Sequence, residues 1–483
     1  MSSLSRDVIK DRIRGCLIGS AVGDAYGVVT EFMTTSAATR VYGNGPIPFG
    51  YEPDNSDYGR NDFTDDTDQM LVILQSLEQT RDGRLNPINL SNRLLEWRNH
   101  GIPEIGTDPG RGLGLTVGRV IKDPYFRSNP HRAAFEVWDA SGRNLAPNGA
   151  VMRTAVTGTE AFWDEPRVVE NTMAAAKITH ADPRSVQSAL LSAVLISRLL
   201  RGGGSTAEAD KAQTWNPRIS EPAYRQELLA YLQRGTNLQG EHSLNPAYDE
   251  KTDTNRFQPK DYKALEKKYL EDEVRGHKLI NSQLQNMGQS RGNVDRSKVT
   301  LRTDIGWAGI NHVGEDEAMT ALARSVMADY KFLLQDTDVA SPSGQRQERV
   351  QDVWTRDLET HCFPQTLERL TLGESHAIGY TLKCIGIGYF GVTRREDPSP
   401  TSPEYHGPSG LFRGLMEQVT LQGGDADTND AVMGSLLGAR FGLERGIPKS
   451  WWTGLKHIAW LESTVDAYAE RVLANYDAQY TSS

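Results

Sequence analysis

Two acidic motifs carry the densest chemistry in this chain: Phe63-Thr64-Asp65-Asp66-Thr67-Asp68 and, far downstream, Gly423-Gly424-Asp425-Ala426-Asp427-Thr428-Asn429-Asp430. Each places several carboxylates and a threonine hydroxyl where an apolar helical pattern begins. Carboxylates so closely spaced repel one another, and burial without partners would protonate them; a hard divalent cation keeps them ionised together. The motifs therefore predict a metal site divided between two distant segments. The plainer alternative is that Asp and Thr merely cap two helices.

The elements that must position these residues are helices. Met70, Leu71, Ile73, Leu74 and Leu77 follow the first motif at helical spacing, and Val432, Met433, Leu436 and Leu437 follow the second. Unpaired N–H groups and the positive end of the dipole at a helix start favour ionised carboxylates. A calcium EF-hand loop is excluded, because Asp430 stands where that loop needs glycine and Leu436 where it needs glutamate. An aspartate-rich helix of the all-α terpene-synthase kind would carry an acid at position 69, which is glutamine.

Helical periodicity dominates elsewhere too. Ile9, Ile13, Leu17 and Ala21 form one stripe, and 168–178, 185–200, 317–334 and 461–476 read as further helices, whereas strand-like alternation is scarce. The expected fold is an all-α globule. Between about 201 and 301 the texture turns polar, opening with Gly202-Gly203-Gly204-Ser205, and reads as an insertion in which 262–287 forms a helix. The stretches 341–352 and 397–408 read as loops.

Length and charge narrow the class. With 483 residues and a net charge of −10, interspersed in sign, the chain has a large core to bury and no basic nucleic-acid-binding surface. The three cysteines, Cys16, Cys362 and Cys384, show neither metal-ligand spacing nor a disulfide framework, which fits a reducing compartment. No apolar leader opens the chain, and the longest apolar run, 189–200, is interrupted by serines and an arginine. An intracellular location is expected, cytoplasmic with the nucleus open, with no membrane association and a monomeric state.

Six motifs in order resemble the ADP-ribosylglycohydrolase family, which includes the dinitrogenase reductase-activating glycohydrolases. They are Gly15 to Gly27 with Glu31, the Thr-Asp-Asp-Thr block at 64–67, Asn148-Gly149-Ala150-Val151-Met152-Arg153, Thr179-His180, Ile378-Gly379-Tyr380, and Gly423 to Gly442. The resemblance implies a compact orthogonal multi-helix globule with a central dinuclear metal cleft, one domain over 1–483 interrupted by the insertion. It also implies two divalent cations, Mg2+ or Mn2+, and hydrolysis of the glycosidic bond between ADP-ribose and an acceptor. The substrate would be an ADP-ribosylated protein or small molecule, and the product ADP-ribose.

Carried over motif by motif, Thr64, Asp65, Asp66, Asp425, Asp427 and Thr428 would be the metal ligands, and Glu31, Asp65 and Asp66 the catalytic carboxylates. Paired carboxylates are the usual equipment of glycoside hydrolysis. For Glu31 the alternative is an exposed loop acid; for Asp24 it is a helix-terminal acid paired with a nearby basic residue. Asn148 and Gly149 would form a phosphate-binding turn, since glycine lets backbone N–H groups approach an anion, with His180 on the substrate side. Gly110, Gly112 and Gly114 would wall the cleft. This chain departs from the family at Ala426, where threonine is usual, and in the length of 201–350. An inactive ADP-ribose-binding module of the same fold is the alternative, as is an all-α magnesium enzyme acting on another diphosphate or glycoside.

Overall fold

The computed structural model describes residues 4–43, 45–51, 53, 58–80, 83–206, 215–233, 314–335, 347–397 and 402–481. Five helices frame the region of interest: α1 (Arg6–Gly27), α2 (Asp65–Glu78), α3 (Pro183–Leu200), α4 (Thr381–Val392) and α5 (Ala426–Phe441). Among the described residues the only β-pairings are three isolated bridges. The protein is all-α, as its periodicity indicates.

Helix α1 starts where the Ser5 hydroxyl accepts the Val8 N–H at 3.4 Å, with Asp7 in its first turn. Ile9, Ile13, Leu17 and Ala21 are all buried, as their stripe requires. A second stripe controls how closely its partner approaches. Gly15, Gly19, Gly23 and Gly27 recur every four residues and face α5 through Gly438, Gly434, Asp430 and Ala426. A Cβ on Gly23 would lie 2.1 Å from the Asp430 carbonyl oxygen, and one on Gly438 1.9 Å from that of Gly15. The two helices touch backbone to backbone, a separation that only small residues permit.

Around this pair the core is one continuous apolar cluster. Every residue of α3 is buried, and its start is fixed by Pro183 and by Asp182, which accepts the Arg184 N–H at 2.9 Å. Every residue of α4 is buried as well. The described section 215–233 packs on the same body through Trp215, Tyr224, Leu228, Leu229 and Leu232. Asn216 donates to the Tyr330 hydroxyl at 3.0 Å, and Lys177 to the Tyr231 carbonyl. Residues 207–214 and 234–301 of the stretch expected as an insertion, with the helix expected over 262–287, lie outside the described residues.

Two loop expectations change. Helix Gln347–Cys362 begins inside the stretch 341–352; its polar, charge-rich opening hides an apolar set, Trp354, Leu358 and Cys362, that is buried. Near 403–408 a 3-10 turn, Pro403–Tyr405, leads directly into helix Gly407–Gln422. Proline there sits at helix starts, where its missing N–H costs nothing. All three cysteines are buried and free. Among the described residues no helix is long and apolar enough to cross a membrane.

Candidate active site

Asp24, three residues before the end of α1, organises the first motif. Both its oxygens accept the Thr64 N–H at 3.0 Å, and one also accepts the Thr67 N–H at 3.1 Å and the Thr67 hydroxyl at 2.6 Å. The expected basic partner is replaced by the orphan donors of the α2 N-terminus, which suit a carboxylate equally well. Burial pushes the Asp24 carboxyl up to about 6, against the pull of these hydrogen bonds. Thr64 is the N-cap of α2, its hydroxyl accepting the Asp66 N–H at 3.3 Å. With the helix start pinned on both sides, Asp65 and Asp66 project together from its first turn.

The second motif meets them there. The Asp425 charge reaches both Asp65 and Asp66, and Asp66 Oδ2 is buried with no partner among the described residues. One carboxylate oxygen from each of Glu31, Asp425 and Asp427 lies within 4.8 Å of the others. Glu31 is held in this group by a short backbone exchange: Phe32 N–H donates to the Gly424 carbonyl at 2.6 Å and Gly424 N–H to the Met33 carbonyl at 2.7 Å. Gly424 has φ +75°, and a Cβ there would lie 2.3 Å from the Leu372 carbonyl oxygen, so only glycine fits. The glycines before Asp425 thus serve the approach of Glu31.

These carboxyls share one electrostatic problem. Asp65, Asp66 and Asp427 are pushed well above the usual carboxylate range, first by burial and then by neighbouring acids, and burial raises Asp425 too. Gln69 offers Asp65 a hydrogen bond at 2.7 Å and Asn148 offers Asp425 one at 2.9 Å. A neutral amide supplies no countercharge. Clustered hard oxygen donors, the Asp66 Oδ2 among them without a partner among the described residues, fit divalent metal binding in type and number.

Gly149 lies on the side where Asn148 reaches Asp425. Asn148 N–H donates to the Gly379 carbonyl at 2.9 Å, and Gly379, at φ +75°, places its absent Cβ 3.0 Å from Asp425 Oδ2. The segment 378–380 therefore backs the Asn148 turn. A Cβ on Gly149 would lie 3.0 Å from His180 Cε1 and 3.1 Å from Nε2, which puts His180 against the turn. Gly112 is also brought in, since a Cβ there would meet the Tyr58 hydroxyl at 2.1 Å and Asp65 Oδ1 at 2.6 Å. Gly114 is exposed, its missing side chain facing open space; Gly110 packs on Trp97. Neither of these two contacts the acidic cluster.

A buried relay joins the acidic cluster to the turn. Arg153 donates to Gln69 Oε1 at 2.7 Å, to the Ala175 carbonyl at 3.2 Å and to the Thr179 hydroxyl. Because an arginine only donates, the Thr179 proton goes to His180 Nδ1, 2.8 Å away. Burial holds the His180 pKa well below its usual value, with Arg153 adding to the effect. The neutral ring then carries its proton on Nε2, which has no partner among the described residues and sits by Gly149. It is a preset donor. Gln69 and Arg153 escaped the sequence reading as site residues; the i, i+4 spacing of Asp65 and Gln69 was the available signal.

A profile described as ADP-ribosylglycohydrolase matches residues 5–271 and 305–481. This chain belongs to the ADP-ribosylglycohydrolase family. Among curated relatives, the ADP-ribosylhydrolase ARH3 of Gallus gallus is 28% identical over 40% of this chain and 51% of its own. The ADP-ribosylarginine hydrolase Tri1 of Serratia proteamaculans is 24% identical over 40% and 48%. The ADP-ribosyl-[dinitrogen reductase] glycohydrolase of Rhodospirillum rubrum is 26% identical over 42% and 63%. The chain spans about half the length of the curated relatives it matches. A solved chain described as an ADP-ribosylglycohydrolase-related protein complex aligns over 96% of this chain at 18% identity, with a TM-score of 0.47.

Proposed function

We propose that this protein is a metal-dependent hydrolase that cleaves the glycosidic bond between ADP-ribose and its acceptor, releasing ADP-ribose. The observation that carries the reading is the convergence of Glu31, Asp425 and Asp427 within 4.8 Å, with the Asp425 charge reaching Asp65 and Asp66 of the other motif. Two motifs hundreds of residues apart build one acidic centre.

Thr64, Asp65, Asp66, Asp425, Asp427 and Thr428 would hold two divalent cations, Mg2+ or Mn2+, with Glu31 beside them. Bound there, the cations supply Lewis-acid polarisation, an activated water and charge to offset a diphosphate. The chain's own residues do the rest. Asn148 and Gly149 present a turn to which phosphate oxygens can approach closely, and His180 Nε2–H offers them or a ribose oxygen a hydrogen bond. Glu31, half-buried at the rim, and the Asp65–Asp66 pair are the carboxylates placed to orient water and the leaving group. Gly112 leaves room for the Tyr58 hydroxyl to approach Asp65 at this wall.

The test is release of free ADP-ribose from a defined ADP-ribosylated protein in Mg2+ or Mn2+, repeated in EDTA. Metal-dependent release is expected, and restoration when the cation is returned. Tight ADP-ribose binding without release would assign the chain to the non-catalytic binding alternative, and full activity in chelator would remove the metal from the reading.

A further inference from the structure

At the opposite end of the α1–α5 pair lies a cavity of about 380 Å3 whose lining includes Val8, Asp11 and Arg12 of α1, Arg440 and Phe441 of α5, and Arg445. Arg12 precedes Asp24 by twelve residues on one helix, hence by about 18 Å, so the cavity is separate from the acidic centre.

Its charge is unbalanced. Among the described residues Arg12 has one hydrogen-bond acceptor, the Leu199 carbonyl at 2.8 Å, and no carboxylate within ion-pair distance. Arg445 is 73% exposed and reaches Glu396 only at 3.9 Å. Asp11, the one acid in the lining, accepts the backbone N–H groups of Leu443 and Glu444. Arg440 is spoken for by the carbonyls of Val392 and Arg394 and by Asp316. Burial draws the Arg12 guanidinium below its ordinary pKa, with Arg445 adding to the effect against Asp11. Two guanidiniums thus lack close anionic partners in a recess whose other wall is apolar: Val8, 41% exposed, with Leu199, Met319 and Phe441.

We propose that this cavity is a second ligand site, for a small organic phosphate whose oxygens engage Arg12 and Arg445 and whose apolar body covers Val8 and Phe441. Guanidinium forks suit phosphate oxygens better than a single-charge contact does, and the volume lies in the range of small-molecule sites, roughly 300–1,000 Å3.

The probe is phenyl phosphate, titrated calorimetrically into the full chain in EDTA, where the metal-free acidic centre repels anions. Inorganic phosphate and benzyl alcohol form parallel arms. Saturable one-to-one binding of phenyl phosphate is expected, stronger than in either arm. Binding should weaken tenfold or more in Arg12→Gln, in Arg445→Gln and in Val8→Trp, which fills the recess from an exposed position. No saturable binding in the wild-type chain would overturn the proposal. So would unchanged affinity in Arg445→Gln and Val8→Trp, which decide the matter even if Arg12→Gln fails to fold.

Discussion

Asp66 has a buried oxygen without a partner among the described residues, and the Asp425 charge of the other acidic motif reaches it. Asp66→Asn keeps the shape while removing a charge that only a cation needs. We expect hydrolysis to fall by at least about a thousandfold, the scale of losing a principal electrostatic group, with the metal-free melting temperature unchanged or higher; wild-type turnover would count against the ligand assignment. The raised carboxyls also fix a pH dependence. An acid whose folded pKa lies above its unfolded value of about 3.9 stabilises the fold fully below that value. The contribution is lost as pH rises through the folded value, about 6 for Asp24. The gain in melting temperature on adding Mg2+ should therefore be larger at pH 7.5 than at pH 5; an equal gain would mean that the cation does not bind these groups. Residue types alone pointed to the two acidic segments, because clustered Asp and Thr at helix starts suit a cation as well as a cap; the ligand set itself is part of the proposal. The partner of Asp24 stayed hidden, since Thr64 and Thr67 lie forty residues away in sequence and local spacing carries no sign of that hydrogen bond.

At the scale of elements, α1 and α5 are set by what their glycines leave out. A methyl on Gly23 meets the Asp430 backbone at 2.1 Å, in the same turn as Asp24, and backbone cannot swing aside as a side chain does. Gly23→Ala should cost about 3 kcal/mol or more, the upper range for overpacking. It should also weaken cation affinity, because the helix carrying Asp24 must move from the one carrying Asp427. A denaturant midpoint and a Mn2+ titration would read both effects; loss of stability without loss of metal affinity would separate the packing from the site. The Asn148 turn gives a second case. Gly149→Val drives a side chain into the His180 ring, so ADP-ribose should bind more weakly with metal present while plain ribose is little affected; an undisturbed ADP-ribose affinity would displace the nucleotide from this turn. The apolar stripes of α1 and α5 were readable because period 3.6 survives in one sequence. The glycine stripe was visible as spacing, but its partner was not. The start of helix Gln347–Cys362 was read as loop because its first letters are polar, and among its described side chains Trp354, Leu358 and Cys362 report the core.

For the whole molecule, we propose that the stretch from about 201 to 301 modulates acceptor choice, bounded by the packing of 215–233 against the core. Shortening the chain between 236 and 300 should leave cation binding intact and preserve cleavage of a small ADP-ribosylated substrate, while changing the preference among protein substrates. Insoluble or unfolded product would place those residues in the core. The all-α class was legible from periodicity throughout. That two remote helix starts would share one centre was inferred from their like composition, carboxylates and a threonine at each, while nothing in the intervening residues indicates the closure.

The backbone contact between α1 and α5 also sets an order of events during synthesis. At roughly 5–20 residues per second, a ribosome that has finished Gly27 needs about 20 to 80 s to reach Ala426. Throughout that interval the glycine row of α1 lacks the helix it packs against, and Asp24, Asp65 and Asp66 have no opposing motif with which to share a cation. The nascent chain therefore completes its centre late, and helper proteins that shield α1 should raise the yield of folded protein more than added metal does.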